Sequence, residues 1–335
     1  MASASNRWLV TATIMIGTLA SVLASSTINV ALTDIMNGLQ TNLSVIDWVV
    51  TAYMLANVIA MPCTGWLGDV LGRRNLYVAG LLLFMSGSLL AGASWSIESL
   101  IAFRVLQGLG GGLMMPTAQA ILFDTFPPDQ RGTAMGIYGL GAILGPAFGP
   151  TVGGWLVEFF NWRSLFFINL PFAVTSLVML LVLVPARPSA AGARRFDAWG
   201  FTWLVLTLGS LQMALGNGAK DGWDSPGIIG YFATAAIAGS LLLLREFTVD
   251  DPLIDFTVFA NRGYLMGSIV STALGLGLFG STFLLPLFLG SVLGYTALQI
   301  GVLMIAGSLT MGVMMLIGGR LSDRIDARWL IGSGM

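Results

Sequence analysis

The chain has 335 residues, of which 56% are apolar and 9% charged, with a formal net charge of −1 and no histidine. Soluble domains carry about 25% charged residues, so a water-exposed globule is excluded and a polytopic membrane protein fits. The missing histidines remove the commonest metal ligand and general base, the near-neutral charge offers nucleic acid no basic surface, and Cys63 alone can form neither an internal disulfide nor a metal cluster.

A bilayer core takes about 20 mostly apolar residues per helix. Ten such runs follow one another, at 8–31, 47–67, 76–97, 100–123, 134–158, 164–184, 198–217, 226–246, 265–289 and 297–318. An eleventh opens at Trp329 and is cut off at Met335. The first run is too long for a signal-peptide core and has only Arg7 ahead of it, so it reads as a retained span. The expected fold is all-α and polytopic, with ten complete transmembrane helices and the start of an eleventh.

With the N-terminus cytoplasmic, the inside segments hold Arg7, Arg73, Arg74, Arg131, Arg187, Arg194, Arg195, Arg245, Arg262, Arg320, Arg324 and Arg328. The outside segments hold only Arg163 and Lys220, which matches the positive-inside rule. Trp95, Trp155, Trp162, Trp199 and Trp223 fall near span ends, as an aromatic belt places them. The expectation is a multi-pass protein of the cytoplasmic (inner) membrane, lying in its lipid bilayer.

Between the second and third runs lies GWLGDVLGRR, residues 65–74. Gly65 and Gly72 permit a tight turn. Asp69 is placed to cap the next helix or to pair with a nearby arginine, Arg73 or Arg74. Alone, the stretch reads as a basic loop with glycine turn chemistry. It nearly returns as GRLSDRIDAR at 319–328, where Gly319, Leu321, Asp323 and Arg328 align with Gly65, Leu67, Asp69 and Arg74, and Arg324 follows the aspartate. A repeated element at matching topology points to two related halves.

The fourth run contains RVLQGLGGG, residues 104–112. Arg245 sits at the very end of its run, so Arg104 is the one basic residue placed in the interior of a run, where a charge costs several kcal/mol unless it faces a partner or a cavity. Arg104, Gln107, Gly108, Gly111, Met115 and Gln119 share one helix face. Two readings stay open: a buried arginine satisfied by backbone carbonyls, or a cavity-lining residue. In the fifth run, GAILGPAFGPTVGGW, the glycines Gly141, Gly145, Gly149 and Gly153 recur every four residues, and Gly154 follows. They form a smooth strip for close helix approach. Pro146 and Pro150 lack backbone donors and are expected to kink the helix.

These motifs resemble the major facilitator superfamily. Its signature turn reads roughly G-x-L-x-D-R-x-G-R-R; this chain departs at Val70, where a basic residue is usual, and at Asp326, where glycine is usual. The resemblance implies that Asp69, Arg73 and Arg74, and then Asp323, Arg324 and Arg328, form cytoplasmic gating latches, weakened by those departures. It links Arg104 to proton transfer, and it likens the glycine–proline pattern of the fifth run to the antiporter motif that marks exporters.

The two aspartates of the turns lie 254 positions apart, whereas six spans with their loops take roughly 200 residues, leaving room for one extra helical hairpin. RFDAWG at 195–200 and DDPLIDFTVF at 250–259 bracket it. Both resemble the flanks of the extra helices in EmrB/QacA-type fourteen-span drug:proton antiporters, a resemblance covering essentially the whole chain. It divides the chain into a six-helix half (1–184), a Pro- and Arg-rich cytoplasmic linker (185–197), a two-helix hairpin (198–246) and an incomplete second half (247–335). Four further spans are implied, which makes this chain a fragment.

Relatives carry an aspartate in the first span, in a pattern like L-D-x-T-I-x-N-V-A-L-P. Here LASSTINVALT at 23–33 has Ala24 in its place and Thr33 for the proline, and none of the 16 acids falls near a span centre. Asp34, Asp124 and Glu158 lie close to span ends; Asp34 is the best substitute proton carrier, unless a buried acid lies in the further helices. The loss argues against strongly cationic substrates. The implied function is export of small amphiphilic organic compounds by alternating access, with the proton as coupling ion, Arg104 and Gln107 lining the cavity, no cofactor, and a periplasmic membrane-fusion adaptor as a partner that some relatives use. The alternative is a non-transporting receptor, a scaffold or an inactive transporter fragment. A membrane enzyme ranks last, because the residues offer no reaction centre.

Overall fold

The computed structural model describes residues 4–185, 195–295 and 297–334. Every regular element among them is helical. α1 (Ala4–Ser26) runs through a 3-10 turn, Thr27–Ala31, into α2 (Leu32–Gly38). α3 (Leu43–Leu71), α4 (Arg73–Gly92), α5 (Ile97–Thr125) and α6 (Arg131–Phe159) follow. The next span is broken at Ile168 into α7 (Ser164–Phe167) and α8 (Asn169–Leu183). α9 (Ala198–Asp221) and α10 (Pro226–Glu246) form a hairpin. α11 (Arg262–Ser291), α12 (Ala297–Ser322) and α13 (Ala327–Gly334) complete the chain. Nine of the ten apolar runs fall on long helices and the sixth on the broken pair α7–α8, and eight helical spans among the described residues meet a strict length and apolarity test for crossing a membrane. The chain is a multi-pass membrane protein.

Helix starts follow local chemistry. Asn42 caps α3 through Val45 N, and Ser96 and Ser99 form a capping box on α5. Asp197, Ser225 and Asn261 cap α9, α10 and α11.

α1, α3, α4, α5, α6 and α8 pack into one bundle. In lipid, helix association gains little from apolar burial and relies on close packing of small residues. α5 shows this: a methyl group on Gly108 would lie 3.0 Å from Ala56 Cβ on α3, and one on Gly87 of α4 would lie 2.6 Å from Gln107 Cα. One buried core joins Ile14, Tyr77, Leu81, Phe84 and Met114. A second, nearer the start of α3, joins Ile35, Ile46, Leu100, Trp162 and Phe166. Large side chains such as Val182, Leu244 and Leu276 point outward, where a bilayer would solvate them. Trp95, Trp155, Trp199 and Trp223 are also exposed, as expected of interfacial residues. Trp162 departs from that expectation: it is buried, because its indole packs against Gly38 and Phe166.

The hairpin lies along α3. At one end Lys220 pairs with Asp47 at 2.9 Å; at the other the rings of Phe196 and Trp66 meet at 4.8 Å. α12 lies against the first half of α6.

Candidate functional site

Three arrangements carry the residues singled out by sequence. The first is a buried polar network on α5. Arg104 and Gln107 are both completely enclosed. Arg104 Nε donates to Val49 O on α3 at 2.8 Å, and Nη1 donates to Gln107 Oε1 at 2.7 Å and to Ala24 O on α1 at 3.4 Å. The guanidinium lies 4.1 Å from the centre of the Tyr53 ring, a cation–π contact. Gln107 Nε2 donates to Ser88 Oγ at 2.9 Å, and Ser88 Oγ donates to Phe166 O at 2.9 Å. Tyr53 and Ser21 close the network, their hydroxyls 2.9 Å apart.

No carboxylate is among the partners of Arg104, and its Nη2 has none at all. Carbonyl oxygens therefore take Nε and Nη1 while Nη2 stays unpartnered, and in this conformation neither Arg104 nor Gln107 is open to solvent. Asp34 does not join the network. It lies on the exposed face of α2, past the 3-10 turn, and Arg104 is enclosed by α1, α3, α4 and α5.

The second arrangement is the turn at 65–74. Gly72 has φ 78° and ψ 144°, a region that L side chains avoid, and it ends α3 and starts α4 in one residue. Gly72 is itself the N-cap of α4 and offers no side chain to its first amides. Arg73 pairs with Asp124 near the end of α5 and donates to Ala120 O at 3.2 Å. Arg74 donates to Leu181 O on α8 at 3.0 Å. Asp69 and Arg73 line a cavity of about 200 Å³ with Thr64, Gly68 and Thr117. Gly65 faces open space and borders two clefts.

The third arrangement is the repeat turn at 319–328, which does something different. The Asp323 carboxylate accepts from Gly132 N at 2.7 Å, Thr133 N at 2.8 Å and Thr133 Oγ1 at 2.5 Å. It thus satisfies free amides at the positive end of α6, 190 residues earlier in the chain. Partial burial pushes the Asp323 carboxyl up, but the hydrogen bonds from Thr133 and Gly132 outweigh it and hold the group below its usual value. A methyl group on Gly319 would lie 2.6 Å from Gly132 O and 3.0 Å from Gly136 Cα, so α6 and α12 touch backbone to backbone. Arg324 is exposed, and the side chain of Arg328 lies outside the described residues.

On the other half of α6, the glycine strip packs on α1 and the 3-10 turn. Gly141 abuts Met15, Gly145 abuts Val22, Gly149 abuts Ser26, and Gly153 abuts Thr27 and Val30. Ser26 Oγ donates to Gly145 O at 3.0 Å. Pro146 and Pro150 lie on the opposite, exposed face, and α6 continues through both as one helix. Gly154 has open space above it. Sequence reasoning missed Tyr53, Ser88, Gly132 and Thr133, and named Asp124 only as an acid near a span end. Only Gly132 had a readable signal, its spacing of four from Gly136.

The site is thus a bundle of long helices with a buried arginine network, a repeated charged turn and a glycine strip between helices. The chain belongs to the Major Facilitator Superfamily, whose model matches residues 14–335. It is 33% identical over 332 residues to the "Multidrug transporter protein MdtP" of Bacillus subtilis (strain 168), covering 99% of this chain and 61% of that protein. It is 33% identical over 324 residues to the "Multidrug export protein EmrB" of Escherichia coli (strain K12), covering 96% and 63%. The chain therefore spans less than two thirds of the length of these curated relatives. Among solved structures, the proton:xylose symporter XylE shares its fold with a TM-score of 0.56 at 14% identity, covering 96% of this chain and 69% of that one.

Proposed function

We propose that this chain is the larger part of an exporter of small amphiphilic organic molecules. Two lines support the reading: multidrug-transporter relatives at 33% identity along nearly the whole chain, and the Asp323 clasp on α6. The clasp carries the mechanistic part. It joins the start of α6 to the end of α12 by three hydrogen bonds, as a contact that must break and reform in alternating access would do. In this reading α1–α8 form one half, residues 185–197 the linker, α9 and α10 the extra hairpin, and α11 onward the start of the other half.

The same reading makes the clasped end cytoplasmic, in the inner membrane, since that end carries most of the arginines. Asp69, Arg73 and Arg74 hold the first half's latch, with Asp124 added to it. Asp323, Arg324 and Arg328 hold the second. Arg104 and Gln107 brace α1, α3 and α5 and become accessible only when those helices part. Proton coupling is the expected drive, with Asp34 the nearest acid on the first span; a membrane-fusion adaptor would carry substrate across a second membrane. The glycine strip is the bearing on which α6 moves against α1.

Flux in proteoliposomes tests this. With a proton gradient imposed, the full-length protein should move an amphiphilic dye against its gradient, and Asp323→Asn should slow it at least tenfold. Dye binding without flux would favour the non-transporting receptor instead.

A further inference from the structure

The base of the hairpin holds two buried acids that the transport reading does not use. Asp197 and Glu246 are 6% and 5% exposed. Asp197 caps α9 through Gly200 N at 3.0 Å and takes Arg245 Nε at 2.8 Å on Oδ1 and 3.0 Å on Oδ2. Its charge is therefore matched. Glu246 Oε2 accepts from Ile254 N at 3.0 Å, but Oε1 is buried with no partner. The two carboxyls converge over one glycine: a methyl group on Gly200 would lie 2.5 Å from Asp197 Oδ2 and 2.9 Å from Glu246 Oε1. Two ionised carboxylates this close, out of water and sharing one arginine, repel strongly, and an unpartnered buried carboxylate oxygen is costly.

We propose that the protein binds one proton here, carried on Glu246 Oε1 and donated as a hydrogen bond to the Asp197 carboxylate. The orphan oxygen then becomes a donor, and the pair keeps one negative charge against Arg245. The surrounding charged groups are Arg245 on α10, Arg195 ahead of α9, and Asp251 and Asp255 on the segment after the hairpin; α3 presents Gly65 and Trp66. Asp197, Arg195, Asp251 and Asp255 line a cavity of about 210 Å³. On release, the Glu246 O–H bond breaks, its electron pair stays on the Glu246 carboxylate, and the proton passes to the Asp197 carboxylate, which lines that cavity, and from it to water. The joint ties three parts of the chain: the hairpin base, the segment leading to α11, and the Gly65–Trp66 corner of the first signature turn. Ionisation of Glu246 drives the carboxyls apart and loosens that joint. The proposal does not depend on the export reading.

Infrared difference spectroscopy of the full-length protein in detergent tests it. The wild type should show the carbonyl stretch of a protonated carboxyl at neutral pH, equal to one group per chain and lost reversibly in alkali. Glu246→Gln should remove that band, while Glu158→Gln, at an exposed acid, should leave it. Asp197→Asn frees Arg245 for Glu246, which then ionises, so the band should vanish although Glu246 is present. This arm stands if Glu246→Gln fails to fold. A wild type without the band, a band that survives Glu246→Gln, or one that survives Asp197→Asn overturns the proposal.

Discussion

Replacing Asp323 by asparagine keeps the side chain's size and removes its charge. In the native clasp one carboxylate accepts from Gly132 N, Thr133 N and Thr133 Oγ1 at 2.5–2.8 Å. Asparagine keeps one oxygen, which can hold one amide, and turns an NH₂ group toward the remaining donors. An N-cap removed costs about 0.5–2 kcal/mol, and a hydrogen bond to a charged group is worth about 1.5–3 kcal/mol. Asp323 is half-buried and partly screened, so the low end of that sum applies, about 2 kcal/mol. At 1.36 kcal/mol per tenfold, the ratio of clasped to unclasped molecules falls about 30-fold. Spin labels on Gln130 and Ile325, both exposed, in a Cys63→Ser background would read that ratio as the weight of the short-distance population. Acid should act the same way, with a defined sign. The folded carboxyl titrates below its free value, so the clasp is at full strength near neutral pH and is lost only as pH falls through that depressed value. Distance distributions that do not change in Asp323→Asn would refute the reasoning, because the clasp would then not hold α12 to α6.

Gly145→Leu would drive a side chain into Val22, whose Cβ lies 2.8 Å from the point where a methyl would sit; a loss of about 1–3 kcal/mol should lower the melting temperature in detergent, while Gly154→Ala, in open space, should be neutral. Arg104→Ala strips Val49 O, Ala24 O and Gln107 of their donor inside the bundle, and should abolish dye export by the full-length protein; unchanged export would remove Arg104 from the mechanism. Lys220→Ala breaks an exposed pair with Asp47 and should shift thermal stability by no more than about 1 kcal/mol, seen as a near-identical melting curve. Gly72→Ala forces a side chain to φ 78° and should cost about 1–3 kcal/mol, measured the same way.

The helices were legible because membrane insertion depends on length and apolarity, which are properties of contiguous sequence. The ten apolar runs lie on helices for that reason, the sixth on the broken pair α7–α8, and the glycine strip at Gly141–Gly153 was readable because a period of four selects one face of α6. The near-repeat of the signature turn was legible too, and with it the resemblance to the superfamily. Partners were not legible. In the first turn Arg73 reaches Asp124 and Ala120 O on α5, and in the second Asp323 reaches Gly132 and Thr133 on α6. Sequence spacing cannot distinguish these, because each contact joins residues brought together only when the helices pack.

Arg104 shows the same limit from the other side. Its sequence face fitted both a cavity lining and a carbonyl-satisfied burial. Only the fold decided, by placing Val49 O, Ala24 O and Gln107 within reach of one guanidinium and closing four helices around it. What sequence by itself determined is the number and order of long apolar helices and the family they belong to. Tertiary structure alone decided which charged group meets which donor, since hydrogen bonds act over about 3 Å and that distance is set by packing, not by position in the chain.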